Sequence, residues 1–173
     1  MILTKPQAQL HTFTSKSDIH PKLQCVMTDG VTAVATDSFC LVEIKNNEAE
    51  ASKPLMLPAH VLKALKFSKK LISPTAEVTA DRLTTSEAIY MLPTPPVAEP
   101  SEFPQYKQIF PTATPKVTLF INATYLAEIC TALSKLDPHA KVTLEVHGDL
   151  KPLVIHAEGS DHTARAMLMP LIK

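Results

Sequence analysis

Leu55-Met56-Leu57-Pro58-Ala59-His60-Val61-Leu62-Lys63-Ala64-Leu65-Lys66 is a short apolar run that passes at once into a helical pattern. Pro58 stands near the first helical position, where its missing N–H costs nothing. Val61, Leu62 and Leu65 form an apolar stripe, while Lys63, Lys66 and Lys70 recur at i, i+3 and i+7 on the opposite side. Period-2 alternation then predicts strands near 77–79, 82–85 and 88–92. The unit is therefore strand, helix and three strands.

The same unit recurs on either side, in pattern rather than in identity. From residue 1 to 45 it predicts a strand at 2–4, a helix from Pro6 to about Ser15, and strands near 23–28, 31–36 and 40–44. Thr28-Asp29-Gly30 supplies the Asp-Gly turn of a hairpin. From residue 116 onward it predicts a strand at 117–121, Asn122 as the cap of a helix over 123–135, and strands at 142–146, 153–157 and 164–169. Between the second and third units lie Pro93, Pro95, Pro96, Pro100, Pro104, Pro111 and Pro115, a density that excludes a helix or central strand. Phe103, Tyr106, Ile109 and Phe110 within it predict a connector strapped to a surface. The expected organisation is a two-unit domain at 1–92, a connector at 93–115 and a half-domain at 116–173. The class is α+β.

Seventeen basic and seventeen acidic side chains cancel, so a globally basic, nucleic-acid-binding composition is excluded, although a local basic face is not. The lysine-rich tract offers one. Lys53, Lys63, Lys66, Lys69 and Lys70 lie in a stretch with no acid between Ala51 and Ala76. Lys16 and Lys135 are weaker candidates at the ends of the other two helices. A solvated helix face is the bland reading of such a stripe. Cys25, Cys40 and Cys130 are odd in number and widely spaced, which fits reduced thiols in a cytoplasmic protein rather than a disulfide framework. No signal peptide or membrane-spanning run is expected. His139, His147, His156 and His162 have no metal-site spacing, and Asp37 reads as a turn residue. No catalytic constellation stands out, so neither an enzyme nor a cofactor is expected.

Four motifs resemble the bacterial DNA sliding clamp, the beta subunit of the replicative polymerase. Val34-Ala35-Thr36-Asp37-Ser38-Phe39-Cys40-Leu41, after Pro21-Lys22-Leu23, is similar to the clamp's Ala-Thr-Asp-Gly-His-Arg-Leu after a Pro-x-Leu strand. Phe103-Pro104-Gln105-Tyr106 with Ile109-Phe110-Pro111 is similar to the linker between its second and third domains. Asn122-x-x-Tyr125 and Met167-Leu168-Met169-Pro170-Leu171 resemble its last helix start and its terminus. Clamps carry six such units in a chain roughly twice this long. This chain resembles the second domain and the second half of the third, a compaction that suits a virus or mobile element.

The resemblance implies a DNA-clamp fold in a closed ring, with helices inside and sheets outside. It implies a processivity factor that encircles duplex DNA without reading sequence, through Lys63, Lys66, Lys69, Lys70, Lys16 and Lys135. Family rings hold twelve units, so chains of three imply a homotetramer. The resemblance also implies an apolar pocket for short peptides of the polymerase and clamp loader. Its lining would be Leu23, Thr36, Phe39, Leu41, Pro111, Asn122, Tyr125, Leu150, Pro152, Met167, Met169, Pro170 and Leu171. Ordinary strand core is the alternative for Leu23, Leu41, Met167 and Met169. Phe39 and Cys40 stand where clamps have His and Arg, and Ile172 and Lys173 replace the terminal arginine, so peptide preference is expected to differ. The rival reading is a clamp-fold interaction protein, a decoy or inhibitor that never encircles DNA.

Overall fold

A computed structural model describes residues 1–135, 141–159 and 163–172. The chain divides into two compact units, Met1–Ile109 and Phe110–Lys173.

The first unit runs β1 (Ile2–Thr4), α1 (Lys5–Ala8), β2 (Cys25–Thr28), β3 (Thr32–Thr36), β4 (Leu41–Lys45), then β5 (Leu55–Pro58), α2 (Ala59–Ala64), β6 (Thr75–Val78), β7 (Arg82–Thr84) and β8 (Ile89–Met91). Strand order shows what the repeat is for. The two sheets are β4-β3-β2-β5 and β1-β6-β7-β8, antiparallel throughout. Each unit's leading strand thus completes the other unit's sheet. Leu3 and Ala76 stand opposite each other across β1 and β6, as Leu57 and Val26 do across β5 and β2, and all four are fully buried. They meet Leu10, Ala33, Ala35, Val61, Leu62, Val78 and Leu83 in one core drawn from both repeats.

β3 is buried on both faces. Ala33 and Ala35 face that core, and Val34 faces a second cluster with Cys25, Met56, Ala98, Phe103 and Tyr106. The proline-rich segment thus covers the outer face of the first sheet. Phe103 and Tyr106 meet edge to face, 6.2 Å between centroids, burying two aromatic rings that contribute about 1.5–3 kcal/mol each. Burial pushes the Tyr106 hydroxyl up to about 12, helped by its hydrogen bond with Glu43.

Two predicted helices are shorter than periodicity indicated. α1 passes at Gln9 into a 3₁₀ turn, Gln9–Phe13. Thr12 and Thr14 hydroxyls donate to the carbonyls of Gln9 and His11, local bonds that favour the tighter winding. α2 ends at Ala64 because Leu65 turns to extended backbone, which lets Leu65 and Phe67 pack on the core. The Tyr90 hydroxyl accepts the Lys66 N–H at 2.9 Å.

The second unit has α3 (Ala123–Leu133), β9 (Lys141–Val146), β10 (Leu153–Glu158) and β11 (Thr163–Leu168), with sheet order β11-β10-β9. Leu133, Leu153, Ile155, Ala157 and Leu168 form its core, with Leu119, Ile121, Leu126 and Ile129 against them. The strand predicted at 117–121 belongs to no sheet. The leading strands of the first unit pair with the sheet of another repeat, and this unit contains only one. Among the described residues no helix is long and apolar enough to cross a membrane.

Candidate functional site

The predicted lysine stripe does not lie on one helix. Only Lys63 stands on α2; Lys66, Lys69 and Lys70 follow in the loop after it, since Leu65 breaks the helix. The four side chains are nonetheless all exposed, and among the described residues no ion pair holds any of them. The loop is shaped locally, the Lys70 N–H donating to the Ser68 hydroxyl at 3.3 Å. Lys66, Lys69 and Lys70 border a hollow of about 440 Å³ with Phe67 and Ser68, and Glu87 borders it too, an acid that sequence order did not place there. Lys16 and Lys135 are exposed beyond the ends of the first 3₁₀ turn and of α3.

The predicted pocket residues divide between the units. In the first, Leu23 and Thr36 are buried, Leu41 packs on the outer cluster, and Phe39 is 97% exposed. Phe39 is held out by a loop joining β3 to β4. Asp37 accepts the N–H groups of Phe39 and Cys40 at 2.9 and 2.8 Å, the Thr36 hydroxyl donates to the Cys40 carbonyl, and Ser38 takes φ +80°. Those two backbone bonds, Cys40 first, hold the Asp37 carboxyl below its usual range. The turn role read from Asp37 is the one it has.

In the second unit the predicted residues lie on different layers. Met167 leaves β11 on the face opposite Leu168, and Leu168 is on the core face that α3 covers. Tyr125 stands exposed on the first turn of α3. Asn122 caps that helix, its side-chain oxygen accepting the N–H groups of Thr124 and Tyr125 at 2.9 and 3.4 Å. Leu150 and Leu171 share a cavity of about 570 Å³ with Pro115, Val117, Thr118 and Phe120, none of which was among the predicted pocket residues. The N–H of Leu171 donates to the Phe120 carbonyl at 2.6 Å and draws the end of the chain to that cavity. Met169 is exposed, and Pro111, Pro152 and Pro170 lie at or near the surface. Exposed methionine is adaptable contact surface.

A second hollow, about 890 Å³, lies in the first unit among Met1, Ile2, Ile44, Ile72 and Pro74, and no predicted site residue borders it. On the outer face of the second unit's sheet, Glu145 lies 3.3 Å from His156 and 3.4 Å from His147. Desolvation pulls that carboxyl up, but the two imidazoles outweigh it and hold it low. Among the described residues no group of His, Cys, Asp and Glu side chains is arranged to hold a metal. His139, His162 and Lys173 lie outside the described residues.

No family model matches the sequence, and no curated protein is significantly similar to it. Solved structures do match. The DNA polymerase beta subunit of Streptococcus pyogenes superposes at a TM-score of 0.65 with 16% identity, covering 99% of this chain and 50% of its own. The Helicobacter pylori beta clamp, solved with 5-chloroisatin, gives 0.59 at 16% identity over 98% and 48%. The DNA polymerase III beta subunit of Thermotoga maritima gives 0.58 at 16% identity over 100% and 51%. The chain therefore has, along its whole length, the fold of the bacterial DNA polymerase III beta subunit, the sliding clamp, in about half that protein's length.

Proposed function

We propose that the chain is a sliding clamp, a non-enzymatic processivity factor whose copies close around duplex DNA and dock partner peptides of a polymerase and its loader. The observation that carries this reading is the match of the whole chain to the clamp fold. A topological link needs loose phosphate contact, because base-specific bonds would stop sliding. Lys63, Lys66, Lys69 and Lys70, exposed and without an ion pair among the described residues, supply such contact, and the few arginines (Arg82 and Arg165) fit backbone contact better than base readout. Lys16 and Lys135 extend the basic surface. Within the first unit this reading assigns peptide contact to the exposed Phe39, with Leu23, Thr36 and Leu41 as its neighbours in the fold, and within the second unit to the exposed Tyr125, Leu150, Met167, Met169 and Leu171, with Pro111, Asn122, Pro152 and Pro170 as further candidates.

The test is retention on nicked circular DNA, followed by cutting the circle. The wild-type chain stays with the circle and is released from its cut ends. Lys63→Glu with Lys66→Glu lowers retention and reduces the dependence of log K on log salt by about two, about one per lysine lost, with the melting curve unchanged. Wild-type retention by that double variant overturns the lysine assignment. Retention indifferent to cutting overturns encirclement and leaves the non-encircling interaction protein.

A further inference from the structure

We infer that the second unit is completed by a second copy of this chain, each copy adding its 117–121 segment as a strand to the open edge of the other's β9. The inference rests on the fold and not on DNA encirclement. In the first unit, β1 and β5 are exchanged between two sheets, and each caps the strand that follows a helix. β9 follows α3 in the same way and ends its sheet. Val142, Leu144 and Val146 stand opposite the buried Ala157, Ile155 and Leu153, so they share the core face. Yet they are 47%, 58% and 45% exposed, whereas Val26, Ala76 and Val78 on the capped strands are at most 2% exposed. The core face of β9 lacks the cover that its counterparts have.

A strand of the missing kind is also present: segment 117–121 belongs to no sheet of its own unit, while Leu119 and Ile121 lie against that unit's core. Segment 117–121 precedes the helix cap Asn122 as β1 precedes the cap Thr4. Through Met1, β1 exchanges both backbone bonds with Val78, and Lys5 donates to Pro74, so alternate residues face the sheet. The matching positions are Leu119, Ile121 and Ala123. Among the described residues no backbone bond reaches Leu119 or Ile121, while the intervening Phe120 carbonyl is taken from the other side by Leu171. Open edges with such a pattern recruit strands, and reciprocal addition gives a closed two-fold interface.

The register follows as well. Both caps sit opposite the first residue of the strand they pair with, Thr4 with Thr75 and Pro58 with Cys25. Asn122 then meets Lys141 of the other copy, Ile121 meets Val142, Phe120 meets Thr143 and Leu119 meets Leu144. This places Leu119 and Ile121 on the uncovered core face; a slip by one residue would turn both outward.

Phe120 and Thr143 form a non-hydrogen-bonded pair in this register, with the close Cα spacing a disulfide accepts. The experiment replaces the exposed Cys40 and Cys130 by serine and keeps Cys25, whose burial pushes its thiol up to about 11. One preparation carries Phe120→Cys, another Thr143→Cys, and the two are mixed and oxidised. The expected result is a disulfide-linked pair in the mixture and in neither preparation alone. Leu144→Lys in the otherwise unaltered chain should halve the assembled mass without changing its circular dichroism, since Leu144 is already exposed in a single copy. A folded monomer across a dilution series, an uncrosslinked mixture, or a mass unmoved by Leu144→Lys overturns the inference. Crosslinking without retention on circular DNA sinks the clamp function and leaves this pairing standing.

Discussion

Gln7 is fully buried and has no unmet hydrogen-bonding capacity to spare. Its side-chain carbonyl accepts the N–H and hydroxyl of Thr4 at 2.9 and 3.0 Å, and its amide donates to the carbonyls of Gly30 and Val31 at 3.3 and 3.1 Å. One side chain thus closes the cap of α1 and ties it to the β2–β3 turn. There Gly30 has φ +93°, a conformation disfavoured for side chains other than glycine's. Gln7→Leu keeps the volume and removes the bonds, so it should cost about 1–3 kcal/mol for the buried Gly30 carbonyl left without its donor, while the Val31 carbonyl keeps the Asn46 N–H. Denaturant unfolding should show a lower midpoint at unchanged slope. Exposed Gln9→Leu, as control, should stay within about 0.5 kcal/mol of wild type. Thr4-x-x-Gln7 has the spacing of a capping box, a signal that the helix expected from Pro6 left unused. The reach of Gln7 to Gly30 was not readable in the sequence, because that contact depends on the tertiary arrangement.

At the scale of elements, α3 shows a predicted binding residue with a demonstrable local task. Asn122 caps the helix, and Asn122→Ala should therefore lower the stability of the second unit by about 1 kcal/mol, read from local amide exchange in α3. A loss of peptide affinity beyond that cost would be needed to give it a direct contact. The strand–helix–three-strand rhythm was legible because alternation and apolar stripes are local signals. The turn roles of Asp37 and of Asp29-Gly30 were legible for the same reason. Helix length was less so: Lys66 and Lys70 keep helical spacing in sequence, but Leu65 and Phe67 gain more by reaching the core than by continuing α2. Strand pairing was not legible at all. Nothing in Leu55-Met56-Leu57 says that it joins the sheet of the preceding repeat, and nothing in 117–121 says that it joins none within its own unit.

For the whole molecule, the numbers to explain are three repeats per chain and a clamp fold at half the usual length. In the proposed ring of twelve repeats, four copies supply the full number. Light scattering over a dilution series should therefore give four times the chain mass, with two copies as the intermediate if the second units pair first. Three copies, or one, would be incompatible with that ring. The balanced charge leaves little long-range attraction to DNA, so retention by a closed ring should persist at salt concentrations that strip an open-sided binder. The peptide site is the part least settled by sequence, because its candidate residues lie on separate layers and in separate units.

The exchange of β1 and β5 also dictates an order of events during synthesis. Met1 bonds to Val78 across 77 positions, so β1 is made well before the strand it pairs with exists. Until then the nascent first repeat carries an apolar strand with no sheet to enter. Such long-range closure slows folding and leaves a sticky edge exposed. Ribosome-bound chains halted before residue 75 should be protease-sensitive throughout, and those halted once residues 1–109 have cleared the exit tunnel should become resistant in one step.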